Sequence, residues 1–131
     1  MQQLTLYAAG PANLIISAGL QPSQSTEADF NAWYTKEHMP LVSKTAGYVR
    51  TRRYKLVSAT NLNEYNRQQS DAPSYLALHE FDSNSFPNAE LRKCDETPWS
   101  VQVFKGLEKL EVGFYRRKRM YKEGEQPTSK L

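Results

Sequence analysis

The sequence predicts an α+β domain in which a four-stranded antiparallel sheet carries its helices on one face. Three observations lead there. Apolar residues recur at helical spacing over 29–41, and four other stretches, 13–19, 48–59, 74–82 and 111–121, are apolar or alternate with the period of a strand. The resulting order of strand, helix, strand, strand, helices, strand is two βαβ-like halves. A chain of 131 residues suits one domain, long enough to bury roughly two thirds of its unfolded surface without staples. The expected domain is 1–131, with 1–12 an N-terminal extension and 122–131 a flexible polar tail.

In chain order, 4–8 is a short β-like run closed by the Gly10-Pro11 turn signal. The segment 13–19 (NLIISAG) is a first buried strand ending before Pro22. Thr26, with Asp29 three residues on, is placed to cap the next helix, and Glu27 and Asp29 suit its positive end. Pro40 lacks the N–H a helix needs, so a break is expected just after His38, with 41–45 a tilted turn. After Gly47, 48–59 reads as a long strand with Tyr48, Arg50, Arg52, Tyr54 and Leu56 on one face and Val49, Thr51, Arg53, Lys55 and Val57 on the other. The polar stretch 60–73 reads as an exposed loop, a lid or a disordered segment. In 74–82, Tyr75, Ala77, His79 and Phe81 oppose Leu76, Leu78 and Glu80. A short helix over 87–93 precedes a Thr97-Pro98 cap and a helix to about Lys109, striped by Val101, Phe104, Leu107 and Leu110. The final strand is 111–121. This is a ferredoxin-like order, whose uncovered sheet face a second copy of the chain would cover as a homodimer.

Composition narrows the function. The net charge of +3 comes largely from two basic clusters, 50–55 and 116–122. Both lie in period-2 segments that divide the charge between two faces, so ion pairs with acids such as Glu27, Asp29, Glu37 and Glu111 are expected and nucleic acid is not. The single cysteine, Cys94, excludes an intramolecular disulfide and a set of cysteine ligands for zinc, which suits a reducing compartment. No membrane span or targeting segment is apparent, so a soluble cytoplasmic protein is expected. Two histidines without metal-ligand spacing, scattered glycines and no nucleophile elbow predict neither a metal nor a cofactor.

The candidate chemistry lies on the 29–41 helix, where Phe30, Trp33, Tyr34, Glu37, His38 and Leu41 share one broad face. Tyr34 and His38 are one turn apart. An imidazole that moves a proton beside an activated carbonyl, a phenol or second imidazole that polarises its oxygen, and rings that hold it flat form a sufficient set of tools. His38, His79 and Tyr34 are the catalytic candidates; Trp33, Tyr75, Phe81, Arg52 and Trp99 are the substrate-binding ones. The bland alternative is a hydrogen-bonded core histidine.

The pattern Phe30-x-x-Trp33-Tyr34-x-x-Glu37-His38-x-Pro40, then Ala46-Gly47-Tyr48, Arg52-Arg53-Tyr54-Lys55 and Tyr75-Leu76-Ala77-Leu78, resembles the dimeric α+β barrel superfamily, in particular the EthD-like proteins common in fungal genomes. The resemblance implies a homodimer of face-to-face sheets with a pocket in each subunit between sheet and helices. It places His38 at the pocket histidine. It also implies a cofactor-independent enzyme of polyketide-like secondary metabolism, acting on a small aromatic substrate by cyclisation, decarboxylation, dehydration or isomerisation. The alternatives it leaves are a non-catalytic carrier of a hydrophobic ligand, or stress-response barrel protein, and a cofactor-free monooxygenase.

Overall fold

The structure, a computed structural model, describes residues 12–62, 67–121 and 123–124. Its four-stranded sheet has the order β2 (Tyr48–Lys55), β5 (Tyr75–Phe81), β1 (Leu14–Pro22), β6 (Leu107–Arg116), with every neighbour antiparallel. This is the predicted ferredoxin-like arrangement. The central strand β1 alternates without a fault, burying Leu14, Ile16, Ala18 and Leu20 against the helices and leaving Ile15, Ser17 and Gly19 partly open on the other face. It runs three residues past the expected end, because Pro22 sits at the last pairing position beside a register shift, where a missing N–H interrupts little of the ladder.

The helices lie on one face: α1 (Glu27–Trp33), a π-helical turn (Tyr34–His38), α2 (Met39–Val42), α3 (Asn88–Cys94) and α4 (Pro98–Lys105). Thr26 does not cap α1 with its side chain. A 3₁₀ turn (Gln24–Thr26) comes first, and the Thr26 hydroxyl is used on the carbonyls of Ser23 and Gly106, both at 3.3 Å. Thr97 does cap α4, accepting from the Ser100 N–H at 3.0 Å. That helix stops at Lys105 rather than near Lys109, since a Cβ at Gly106 would lie 3.1 Å from Thr26 Oγ1 and the chain turns there to begin β6. Leu107 and Leu110 therefore belong to a strand, and β6 starts four residues before the expected strand. Gly47 adopts φ 80° at the entry to β2, where its carbonyl accepts from the Asp82 N–H.

The 60–73 stretch is not featureless: β3 (Thr60–Leu62) pairs with β4 (Arg67–Gln69) in a small separate sheet. The predicted 4–8 run, the Gly10-Pro11 turn and nearly all of the 122–131 tail lie outside the described residues.

Two apolar clusters hold the helices to the sheet. One joins Ala18, Leu20, Phe30, Trp33, Tyr34, Ala77 and Val103; the other joins Leu14, Ile16, Val42, Phe81 and Cys94. Phe30, Trp33, Tyr34 and Phe81 are almost wholly buried, and each large side chain so buried contributes about 1.5–3 kcal/mol. Polar links fix the helix register: Trp33 Nε1 donates to Ser100 Oγ at 3.0 Å, and Thr97 Oγ1 donates to Glu37 at 2.6 Å. Among the described residues no helix is long and apolar enough to cross a membrane.

Candidate active site

Between the β1–β6 half of the sheet and the helices lies a cavity of about 380 Å³. Ile16, Ala18 and Leu20 form its floor. Leu110, Val112 and Phe114 of the edge strand form an outer wall; Trp33, Tyr34, His38 and Phe104 cover it, and Asn88, Arg92 and Asp95 line it from the α3 side. It exists because β6 extends the sheet beyond the helices: the three β6 side chains lie opposite Leu20, Ala18 and Ile16 yet stay about half exposed.

The helix over this cavity departs from the expected break. Helical structure runs through Pro40, and the irregularity comes before it, as a wide turn in which the Met39 N–H bonds to the Tyr34 carbonyl. Proline's ring would strike the carbonyl four residues back, here Lys36. Widening the preceding turn moves that carbonyl away, so the chain accommodates Pro40 without ending the helix. The extra residue in the turn also changes which side chains share a face. Tyr34 and His38 stand ring edge to face with centroids 5.1 Å apart, and His38 stacks on Trp33 at 4.3 Å.

His79 reaches the same place from β5. Its Nε2 is 3.2 Å from the Tyr34 hydroxyl and its Nδ1 is 2.8 Å from Thr51 Oγ1, while its ring centroid lies 6.0 Å from that of His38. Arg53 stands 4.1 Å over the Tyr34 ring and donates to Asn31 at 2.9 Å. The buried Nδ1 of His38 has no hydrogen-bond partner among the described residues.

Burial sets the charge states. It lowers His38 to about 3, helped by His79 and Arg53, and lowers His79 to about 4, helped by Arg53. Burial also holds the Tyr34 phenol above its usual range, with Arg53 opposing. At neutral pH the group is therefore two neutral imidazoles and a protonated phenol. Asp95 is raised to about 6 by partial desolvation and by Glu96.

Of the eight residues singled out in the sequence, Trp33, Tyr34, His38 and His79 meet at this cavity. The other four do not, which corrects the expectation for them. Phe81 is in the second core cluster, fully buried among Leu14, Tyr48 and Phe86, because the register puts it two residues past His79 and under α2. Tyr75 bonds to Glu27 at 2.6 Å and to Asn31 at the far end of α1. Trp99 points out to Asp29. Arg52 lies on the opposite sheet face, where it and Arg50 clamp the buried Glu80 at 2.6 and 2.5 Å. A register shift between Tyr48 and Arg50 separates Tyr48 from Arg50 and Arg52, with which strict alternation groups it. Tyr48 instead donates to Thr51 at 2.8 Å. Sequence reasoning misses Thr51 and Arg53: alternation puts them on one face, but only strand pairing brings that face to His79.

Among the described residues no group of three or more His, Cys, Asp or Glu stands close enough to hold a metal ion. Sheet order, one-sided helices and a partly open cavity between them define the class: a ferredoxin-like α+β domain built around a small-molecule-sized pocket. Residues 23–92, just over half of the chain, match the EthD domain, so the chain belongs to the EthD domain family. No curated protein matches it. Among solved structures, a provisionally assigned antibiotic biosynthesis monooxygenase from Bordetella bronchiseptica superposes with TM-score 0.55 at 16% identity, over 80% of this chain and 97% of that one. A provisionally assigned monooxygenase from Shewanella loihica PV-4 gives TM-score 0.53 at 15% identity, over 85% and 99%. A conserved protein from Methanosarcina mazei Go1 gives 0.52 at 17% identity, over 82% and 94%. At these identities the likeness is one of fold.

Proposed function

We propose that this chain is a cofactor-independent enzyme that takes a proton from a flat, enolisable aromatic substrate, polyketide-like in character, and passes the resulting anion to dioxygen. The observation that carries the reading is the trio of His38, His79 and Tyr34, uncharged and desolvated at one apolar cavity. A volume of about 380 Å³ falls within the usual range for small-molecule sites.

An imidazole whose conjugate acid titrates near 3 is a weak base in the empty cavity. The reaction itself offsets this. An enolate or phenolate oxygen formed about 4 Å from the imidazolium interacts with it by about 4 kcal/mol at an effective dielectric of 20. That is about three pK units, enough to bring His38 into the range a general base needs at neutral pH. The substrate must therefore be acidic already, such as a phenol or a carbon flanked by carbonyls. Tyr34, backed by His79, holds its oxygen, and Trp33 and Phe104 hold its rings.

The anion can be protonated elsewhere, can eliminate water or carbon dioxide, or can meet dioxygen. The assigned names of two neighbours of the same fold support dioxygen over cyclisation, dehydration, decarboxylation or isomerisation. In that case a CH₂ becomes a carbonyl that keeps one atom of dioxygen, and the other atom leaves as water with the two hydrogens, so electrons balance without a cofactor. The test is to incubate the protein with hydroxylated polycyclic aromatic ketones and follow dioxygen uptake and product mass. Uptake with gain of one oxygen and loss of two hydrogens supports oxygenation. Turnover without uptake keeps the proton transfer and rejects the oxygenase, and binding without turnover makes the chain a ligand carrier.

A further inference from the structure

We propose that Thr51 is a positioning residue that fixes the tautomer of His79, so that the Tyr34 hydroxyl keeps its own proton for a ligand oxygen in the cavity. The kind of ligand rests on the function proposed above; the relay itself rests on hydrogen-bond geometry.

Four groups stand in a row. The Tyr48 hydroxyl donates to Thr51 Oγ1 at 2.8 Å, Thr51 Oγ1 is 2.8 Å from His79 Nδ1, and His79 Nε2 is 3.2 Å from Tyr34 Oη. A hydroxyl has one proton, and a neutral imidazole has one donor and one acceptor nitrogen. With Tyr48 filling an acceptor site of Thr51, the Thr51 proton is free for Nδ1. An accepting Nδ1 places the ring proton on Nε2, which then donates to Tyr34 Oη. The proton left over is that of Tyr34.

The reverse order has Tyr34 donate to Nε2 and Nδ1–H donate to Thr51. It leaves over the Thr51 proton instead, next to two groups that already donate to that oxygen. The surroundings distinguish the two orders. Tyr34 lines the cavity, where water or a ligand accepts its proton, whereas Thr51 lies beneath His79 on the sheet and does not line it. Thr51 is only partly buried, so what disfavours the reverse order is local: the Thr51 oxygen would take two donors, from Tyr48 and His79, while its own proton would be aimed away from both partners. The parallel Tyr34 and His79 rings, 3° apart in plane, suit the contact, and Arg53 over the phenol favours negative charge on its oxygen as the proton is shared. The ligand atom served is an enolate, phenolate or carbonyl oxygen.

The test starts with wild-type protein labelled with ¹⁵N-histidine. There are two histidines, and His38→Gln assigns the signals. His79 should show an unprotonated Nδ1 and a protonated Nε2; a protonated Nδ1 overturns the proposal whatever any variant does. Affinity for 2-naphthol is then measured by fluorescence in wild type, Thr51→Val, Tyr34→Phe and the double variant. Thr51→Val should weaken binding about tenfold, the usual effect of one hydrogen bond to a charged or polarised oxygen. Thr51→Ser should restore it, and Thr51→Val should cost nothing further once Tyr34 is Phe. Equal losses in both backgrounds overturn the relay. If the tautomer is as stated and no aromatic ketone is turned over, the proposed enzyme fails while the relay stands; turnover with the opposite tautomer keeps the enzyme and overturns the relay.

Discussion

Lowering the pH below about 6.5 should destabilise this protein through its two buried histidines. His38 and His79 titrate at about 3 and about 4 when folded, against about 6.5 in an unfolded chain. The unfolded state therefore binds more protons between those values, and the stability held by the neutral rings is complete above about pH 6.5 and lost as pH falls toward the folded values. Each histidine costs about 1.4 kcal/mol per pH unit in that window, so at about pH 5 each removes about 2 kcal/mol and the pair about 4. Asp95 acts in the opposite sense: its raised value means that its contribution is largest in acid and is lost as pH rises through about 6. It is the more exposed group, so its effect is the smaller one. Guanidinium unfolding at about pH 7.5 and about pH 5 measures the slope, and His38→Gln and His79→Gln should each remove about half of it. A wild-type stability that is flat over this range, or equally steep in both variants, refutes the burial argument.

Replacing His38 with Gln should lower turnover of any accepted substrate by about 10²–10⁴-fold, while binding of the substrate, followed by fluorescence, changes far less. Tyr34→Phe keeps the ring packing and should slow turnover while costing about 1 kcal/mol of stability through the lost partner of His79, read by denaturant unfolding. Glu80→Gln should cost about 1–3 kcal/mol, because the carboxylate is fully buried between Arg50 and Arg52; turnover at the cavity on the other face should survive, and its loss would place Glu80 in the chemistry. Among the described residues the sheet face bearing Ile15, Leu76, Leu78 and Tyr115 has no helix over it, so light scattering should give a homodimer mass at micromolar concentration, and a mass of 15.0 kDa contradicts pairing through that face.

The sequence by itself determined the architecture and half of the site. Period-2 stretches and one amphipathic helix are local signals, and they put Tyr34 and His38 on one helix face and His79 on the inner face of its strand. Thr97-Pro98 marked its helix start for the same reason, as both cap partners lie within one turn. What tertiary structure decided depends on partners far apart in the chain. Gly106 ends α4 because it packs on Thr26, eighty residues earlier. The wide turn that absorbs Pro40 trades a helical bond for packing over the sheet, which no local rule for proline reveals. The irregularity at Tyr48–Arg50 sends Arg52 to Glu80 and leaves Thr51 and Arg53 with His79 and Tyr34. Alternation assigns residues to two faces, but only strand pairing decides what each face meets.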